Sequence, residues 1–130
     1  MLRFLIADDE KYVRDSIREV IQAAFDGREE HIEIGEARNG REAIEVAEGL
    51  RPDIVIIDIK MPGIDGLKAI QEIRSFLPHA YFMILTAYDY FDYAVEAVRN
   101  NVREYILKPF DRVELQNKIV EAVELVQQEK

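Results

Sequence analysis

The sequence predicts a single α/β domain in which a parallel β-sheet carries helices on both faces. Short apolar runs alternate with segments of helical periodicity about five times along the chain, a pattern typical of parallel sheets. Residues 54–57 are all β-branched, so we expect a strand there that is covered on both sides. The length of 130 residues fits one domain with one sizeable core.

The first half of the chain contains three predicted strands and two predicted helices. The strands occupy residues 4–7, 32–37 and 54–57. The first helix is indicated by apolar residues at helical spacing, which are Val13, Ile17, Val20, Ile21 and Ala24. The second helix is expected to begin at the capping pair Asn39-Gly40 and to end at Gly49 and Pro52.

The second half contains two predicted strands, at residues 81–85 and 105–107, and three predicted helices. One helix spans the apolar positions between residues 67 and 73, and Pro78 stops it. The next runs from about residue 90 to 98, and Asn100-Asn101 is a plausible stop. The last helix carries apolar residues from 115 to 126.

The composition argues against several classes of function. The formal net charge is −9, and an acidic domain repels phosphate backbones, so we expect no direct nucleic-acid binding. Cysteine is absent, which excludes disulfides and thiolate metal sites. No apolar run approaches the ~20 residues of a membrane span, and the apolar start is too short for a signal peptide. We therefore expect a cytoplasmic protein outside the membrane, with His31 and His79 in surface loops.

Four of the five predicted strands are followed by polar residues, which are Asp8-Asp9, Asp58, Thr86 and Lys108. Each has an ordinary structural explanation. The first pair could cap a helix, Asp58 could accept from loop amides, Thr86 could be a plain strand residue and Lys108 a surface lysine. Their combination argues otherwise, because the carboxyl ends of parallel strands meet at one edge, where ligands bind.

Carboxylates crowded together repel one another, and a cation relieves that repulsion. Mg²⁺ suits such a cluster because it takes oxygen ligands and keeps several waters. A carboxylate can also attack phosphorus and form an acyl phosphate. Phosphoryl transfer then needs mainly positioning and charge neutralisation, which a metal, a lysine and a hydroxyl supply.

These motifs make the chain resemble the CheY-like receiver domain of a bacterial two-component response regulator. The matching segments are Asp8-Asp9, residues 56–66 around Asp58, Thr86-Ala87 and residues 108–110. The resemblance covers residues 1–130. It implies a flavodoxin-like, doubly wound (βα)5 fold with strand order 2-1-3-4-5.

The resemblance implies a phosphoacceptor and a metal site. Asp58 would accept a phosphoryl group from the phosphohistidine of a sensor histidine kinase, in a regulatory domain that is not an enzyme. Mg²⁺, or Mn²⁺ in its place, would be bound by Asp8, Asp9, Asp58 and the backbone carbonyl of Lys60.

The resemblance also implies a phosphoryl-binding and switching set. Thr86, the backbone of Ala87 and Lys108 would bind the phosphoryl group, and the peptide bond to Pro109 would be cis. Thr86 would move toward the phosphoryl oxygens, and Tyr105 would change rotamer to fill the space. The differential contacts would shift a pre-existing equilibrium and alter the surface formed by the fourth helix, fifth strand and fifth helix (α4-β5-α5).

The readout is expected to be an effector that controls transcription. Residues 127–130 fit either a C-terminus or the start of a linker, and we favour a fragment of a longer regulator. The closely spaced tyrosines after Thr86 loosely resemble receivers that precede AraC-type DNA-binding domains. A homodimer through the α4-β5-α5 surface is a further expectation.

The aromatic residues Tyr88, Tyr90, Phe91 and Tyr93 either pack under the fourth helix or form a partner surface. Lys60 and Tyr88 lie two residues after Asp58 and Thr86, where they flank the acceptor. Neither offers a carboxylate or amide to orient an attacking water, so we expect slow self-dephosphorylation.

Three other functions remain as alternatives. A phosphatase or phosphotransferase of the haloacid-dehalogenase type would resemble its family by an Asp two residues after the nucleophile, where this chain has Lys60. A flavin carrier would need a phosphate-binding loop where residues 8–10 are acidic. A pseudo-receiver that works by binding alone would be expected to lack part of the acidic set or Lys108.

Overall fold

The computed structural model describes residues 1–129, in which five strands alternate with five helices. The strands are β1 (Leu2–Ala7), β2 (Ile32–Ala37), β3 (Ile54–Ile57), β4 (Tyr81–Thr86) and β5 (Glu104–Leu107). The helices are α1 (Lys11–Ala24), α2 (Gly40–Leu50), α3 (Gly66–Phe76), α4 (Phe91–Arg99) and α5 (Arg112–Glu129). Residues 127–129 of the expected linker are therefore helical, and Lys130 lies outside the described residues.

All strand pairs are parallel, and the order is β2-β1-β3-β4-β5, which confirms the predicted topology. The last residues of neighbouring strands are in register, except that Ile57 at the end of β3 pairs with Ile84, two residues before the end of β4. Ala7 pairs with Ala37 and with Ile57, and Thr86 pairs with Leu107. The residues that follow these strands therefore emerge at one edge of the sheet.

Two apolar layers cover the two faces of the sheet. Residues of α1 and α5 pack with Phe4, Ile6 and Ile56 on one face, whereas α2 and α3 pack on the opposite face. All four residues of β3 are buried, as their β-branched run predicts. Burying each such side chain stabilises the fold by about 1.5–3 kcal/mol.

The helix boundaries agree with the sequence at some positions and differ at others. Asn39 caps α2, since its side chain accepts a hydrogen bond from the Glu42 N–H at 2.8 Å. The predicted end of α2, at Gly49 and Pro52, lies close to the observed one. The helix runs one residue past Gly49 to Leu50, and Arg51, directly before Pro52, takes the left-handed conformation with φ 55°. No helix among residues 1–129 is long and apolar enough to cross a membrane.

The aromatic segment around α4 is only partly packed. Tyr93 contacts the core, while Phe91 is 81% exposed. Ala97 is the buried residue of this helix. Packing under α4 therefore explains Tyr93 but not Phe91. His31 and His79 are exposed, as expected.

Candidate functional site

Lys108 joins the acidic residues that follow β1 and β3. Its Nζ donates to Asp8 Oδ2 at 2.7 Å and to Asp58 Oδ2 at 3.0 Å. All three side chains are largely buried, with exposed fractions of 14% for Lys108, 2% for Asp8 and 6% for Asp58. Residues 50 to 100 positions apart thus meet at the sheet edge, where the strand register places them.

Neighbouring backbone amides orient both carboxylates. Asp8 Oδ1 accepts from the Glu10 N–H at 2.9 Å, and Asp58 Oδ1 accepts from the Ile59 N–H at 2.7 Å. The N-cap of α1 is Glu10, without a side-chain capping bond, so neither Asp8 nor Asp9 caps that helix. Asp58 does bond a loop amide, but its other oxygen remains turned toward Lys108.

The charges in this cluster perturb one another. Burial raises the pKa of the Asp8 carboxyl above its ordinary value, and the Asp58 charge acts in the same direction, against Lys108 and the Glu10 N–H. Burial lowers the pKa of Lys108, but its bonds to Asp8 and Asp58 outweigh burial and raise it overall. The ammonium of Lys108 therefore stays charged beside the two carboxyl groups.

The residues here suit a hard divalent cation. Asp8, Asp9 and Glu10 each offer a carboxylate oxygen, and these atoms lie within 4.8 Å of one another. This donor set consists of oxygen atoms, as Mg²⁺ prefers, and buried Asp8 would gain from a cation. Glu10 was not anticipated from the sequence, and Asp58 is not in this group.

A cavity of about 750 Å³ opens above the cluster. Its lining includes Asp9, Asp58, Lys60, Ala87 and Lys108. Asp58 is therefore buried but reachable from the cavity, and a phosphoryl group placed there would meet a carboxylate, an ammonium and a backbone N–H.

The two predicted switch residues both contact the main chain of Tyr88. Thr86 is fully buried, and its Oγ1 accepts from the Tyr88 N–H at 3.4 Å. The Tyr105 hydroxyl donates to the Tyr88 carbonyl at 2.5 Å. The loop after β4 is thus tied to β5 through one residue, Tyr88.

The peptide bond between Lys108 and Pro109 is cis.

Lys60 points toward the aromatic residues of the β4–α4 region. Its Nζ lies 5.7 Å from the centroid of the Tyr88 ring and 5.6 Å from that of Tyr93. Interaction with the Tyr93 hydroxyl raises the pKa of Lys60, whose ammonium is exposed. This side chain connects the β3–α3 loop to α4 across the mouth of the cavity.

Two features of the site were missed in the sequence. Arg14 is buried and donates to the Asp8 carbonyl at 2.8 Å. Its position one turn before Ile17, on the apolar face of α1, was the signal in the sequence that this arginine would be buried. Gly66 packs so tightly that an added Cβ would collide with the Asp58 carbonyl oxygen. No signal in the sequence pointed to this contact.

Comparisons with known proteins identify the family that this fold and sequence resemble. The family model described as "Response regulator receiver domain" matches residues 4–120. The uncharacterized transcriptional regulatory protein YesN of Bacillus subtilis is 36% identical over 123 residues, which are 95% of this chain and 33% of YesN. The chain thus spans about a third of that relative. The chemotaxis protein CheY of Thermotoga maritima is 37% identical over 124 residues, with 95% and 96% coverage.

A solved structure extends the comparison. The REC domain of AraT, a response regulator from Geobacillus stearothermophilus, superimposes with a TM-score of 0.84 at 38% identity. The match covers 98% of this chain and 97% of that one. The similarity therefore includes the whole α/β domain and both ends of the sheet.

Proposed function

Because the chain belongs to the response regulator receiver domain family, we propose that it is a phosphorylation-dependent switch whose acceptor is Asp58. The family consists of regulatory domains of two-component systems. The observation that carries the proposal is the pair of contacts from Lys108 Nζ, at 3.0 Å to Asp58 and 2.7 Å to Asp8. The lysine already lies where a phosphoryl group on Asp58 would need a cation.

The proposed transfer is a displacement at phosphorus. A carboxylate oxygen of Asp58 attacks, the new P–O bond forms, and the P–N bond to a kinase histidine breaks. The electron pair stays on the imidazole nitrogen. Lys108 then exchanges its carboxylate partners for phosphoryl oxygens, and Thr86 and the Ala87 N–H supply hydrogen bonds to them.

Asp8, Asp9, Asp58 and the backbone carbonyl of Lys60 would hold the metal, Mg²⁺ or Mn²⁺. When bound, the cation would neutralise negative charge that builds up on the phosphoryl oxygens. Glu10 is close enough to Asp8 and Asp9 to contribute to the same charge cluster. The four acidic side chains of Asp8, Asp9, Glu10 and Asp58 beside the single ammonium of Lys108 would favour metal binding before phosphorylation.

The switch would act through the loop that carries Tyr88. Movement of Thr86 toward the phosphoryl group would break its contact with the Tyr88 N–H and alter the bond from Tyr105. The loop leads directly into α4, so the α4-β5-α5 surface would change with it. That surface would then control an effector or a second copy of the chain.

The proposed partners follow from the relatives. We propose a sensor histidine kinase as the phosphodonor, in the cytoplasm, and a covalently linked DNA-binding domain as the effector. The chain spans about a third of YesN, which is named as a transcriptional regulatory protein. None of the three alternatives gains support. Lys60, in the position of the dehalogenase-type acid, packs on tyrosine rings. Residues 8–10 are acidic where a flavin carrier would bind phosphate, and every acid and the lysine that a pseudo-receiver would be expected to lack in part are present.

The test is phosphorylation by a small-molecule phosphodonor in the presence and absence of Mg²⁺. The wild type should gain one phosphoryl group by intact mass, only with the metal. Asp58→Asn should gain none, whereas Asp92→Asn, an exposed substitution on α4, should behave as the wild type. Metal-independent labelling, or labelling of Asp58→Asn, would contradict the proposal.

A further inference from the structure

Arg14 is a buried arginine next to the turn formed by Asp8, Asp9 and Glu10, which we call the acidic turn. The function proposed above gives this arginine no role. Arg14 is 8% exposed, on the face of α1 that packs against the sheet. Its Nη1 donates to the main-chain carbonyl of Asp8 at 2.8 Å, and its Nε donates to Glu36 Oε1 at 3.0 Å. A buried guanidinium is costly unless it is paired and hydrogen-bonded, so these contacts are strongly favoured over alternatives.

Glu36 is itself held firmly. Arg18 donates to its Oε2 from Nε at 3.0 Å and from Nη2 at 2.6 Å. Burial alone would raise the pKa of Glu36, but the bonds from Arg18 and Arg14 outweigh burial and lower it. The carboxylate therefore stays charged at neutral pH and anchors Arg14 to the end of β2.

The acidic turn is consequently fixed at three points. The Asp8 N–H donates to the Ala37 carbonyl at 3.0 Å, the Asp8 side chain accepts from the Glu10 N–H, and the Asp8 carbonyl accepts from Arg14. The first two are local or strand contacts. The contact from Arg14 alone ties the peptide between Asp8 and Asp9 to a helix side chain, and so limits rotation of that peptide.

We infer that Arg14 is a positioning residue for the acidic turn. Its guanidinium holds the turn through the Asp8 carbonyl, so that the carboxylates of Asp8 and Asp9 face one cation. The inference rests on the proposed metal site and adds a residue to it. Arginine is suited to this because its planar fork serves two acceptors in fixed directions. Lysine, as a point charge, cannot reproduce both contacts.

Electrostatics and positioning predict opposite effects of removing the charge. Arg14 is a cation beside a cation site, so Arg14→Met should strengthen metal binding if charge were its only influence. If Arg14 positions the turn, the same change should weaken binding. Glu36 remains paired with Arg18 in this variant, so no second carboxylate is left without a partner.

The experiment measures Mn²⁺ affinity by electron paramagnetic resonance, without any phosphodonor. Arg14→Lys and Arg14→Met should each weaken binding by about 10-fold, as changes in residues that orient ligands commonly do. Arg18→Lys is the matched control, because Arg18 shares Glu36 but does not contact Asp8. It should stay within about twofold of the wild type.

Thermal melting without metal accompanies each titration. Equal affinities in the wild type and the Arg14 variants, tighter binding by Arg14→Met, or equal losses in the Arg14 and Arg18 variants would overturn the inference. If Arg14→Met does not fold, the comparison of Mn²⁺ affinity between Arg14→Lys and Arg18→Lys decides whether the inference holds. Failure of the wild type to bind Mn²⁺ or to become phosphorylated would instead count against the proposed function, so the two failures are distinguishable.

Discussion

The hydroxyl of Tyr105 on β5 donates a hydrogen bond to the main-chain carbonyl of Tyr88, 17 residues earlier, in the loop that leads into α4. This bond ties β5 to the loop that follows the buried Thr86. The same loop residue donates its N–H to Thr86 Oγ1. The two residues expected to switch are thus linked through the main chain of Tyr88.

Removing the Tyr105 hydroxyl should release that loop. Tyr105→Phe keeps the ring but loses the bond to Tyr88, so stability should fall by about 1 kcal/mol. Amide hydrogen exchange of residues 87–91 should speed up. Tyr12→Phe, at an exposed tyrosine of α1, is the control and should change neither quantity. Unchanged exchange in Tyr105→Phe would show that this bond does not hold the loop.

Tyr88, which lies over Lys60 of the loop after Asp58, should control the lifetime of the acyl phosphate. Tyr88 lies beside Lys60 at the mouth of the cavity and offers no amide to orient water. Tyr88→Asn should therefore speed phosphate release severalfold relative to a slow wild type. Tyr90→Asn makes the same change at a residue that is 55% exposed and should have little effect. A Tyr88→Asn variant no faster than the wild type would contradict this explanation.

Two glycines should respond in opposite ways to alanine. At Gly66 the added Cβ would meet the Asp58 carbonyl oxygen, so Gly66→Ala should cost about 1–3 kcal/mol of unfolding free energy. At Gly49, inside α2, no atom lies within 4 Å of the Cβ position, and Gly49→Ala should stabilise by about 0.5–1 kcal/mol. Urea unfolding measures both. An unchanged free energy of unfolding in Gly66→Ala would mean that the backbone at Asp58 shifts easily to make room for the added Cβ.

The raised pKa of Asp8 predicts how stability depends on pH. A carboxyl whose pKa is higher in the folded state binds its proton more tightly there, so its favourable contribution is present at low pH and is lost as pH rises through the folded pKa. At neutral pH without metal, Asp8→Asn should thus be more stable than the wild type, with an advantage that shrinks on acidification.

Divalent metal should reverse that order. Mg²⁺ binds the folded wild type and stabilises it by mass action, whereas Asp8→Asn has lost a ligand. Thermal melts at two pH values, with and without Mg²⁺, test both parts. Asp53→Asn is a control acid at the opposite end of β3. An Asp8→Asn variant less stable than the wild type at neutral pH without metal would show that the bond to Lys108 outweighs burial.

The fold and the meeting of Asp8, Asp58 and Lys108 were predictable because both depend on local signals. Apolar periodicity defines the elements, and parallel strands bring residues after their carboxyl ends to one edge. The contact of Arg14 with the Asp8 carbonyl was not predictable, since it depends on how α1 is rotated against the sheet. The cap of α2 at Arg51, between the predicted Gly49 and Pro52, was not predictable because a non-glycine residue adopts the left-handed conformation there.

The central claim is that the buried carboxylate of Asp58 takes the phosphoryl group. After phosphodonor and Mg²⁺ treatment, borohydride reduces an aspartyl phosphate to homoserine, and peptide mass spectrometry then locates it. We predict homoserine at position 58 alone. Homoserine at position 8 or 9, or an unmodified chain under conditions where the metal is bound, would contradict the account.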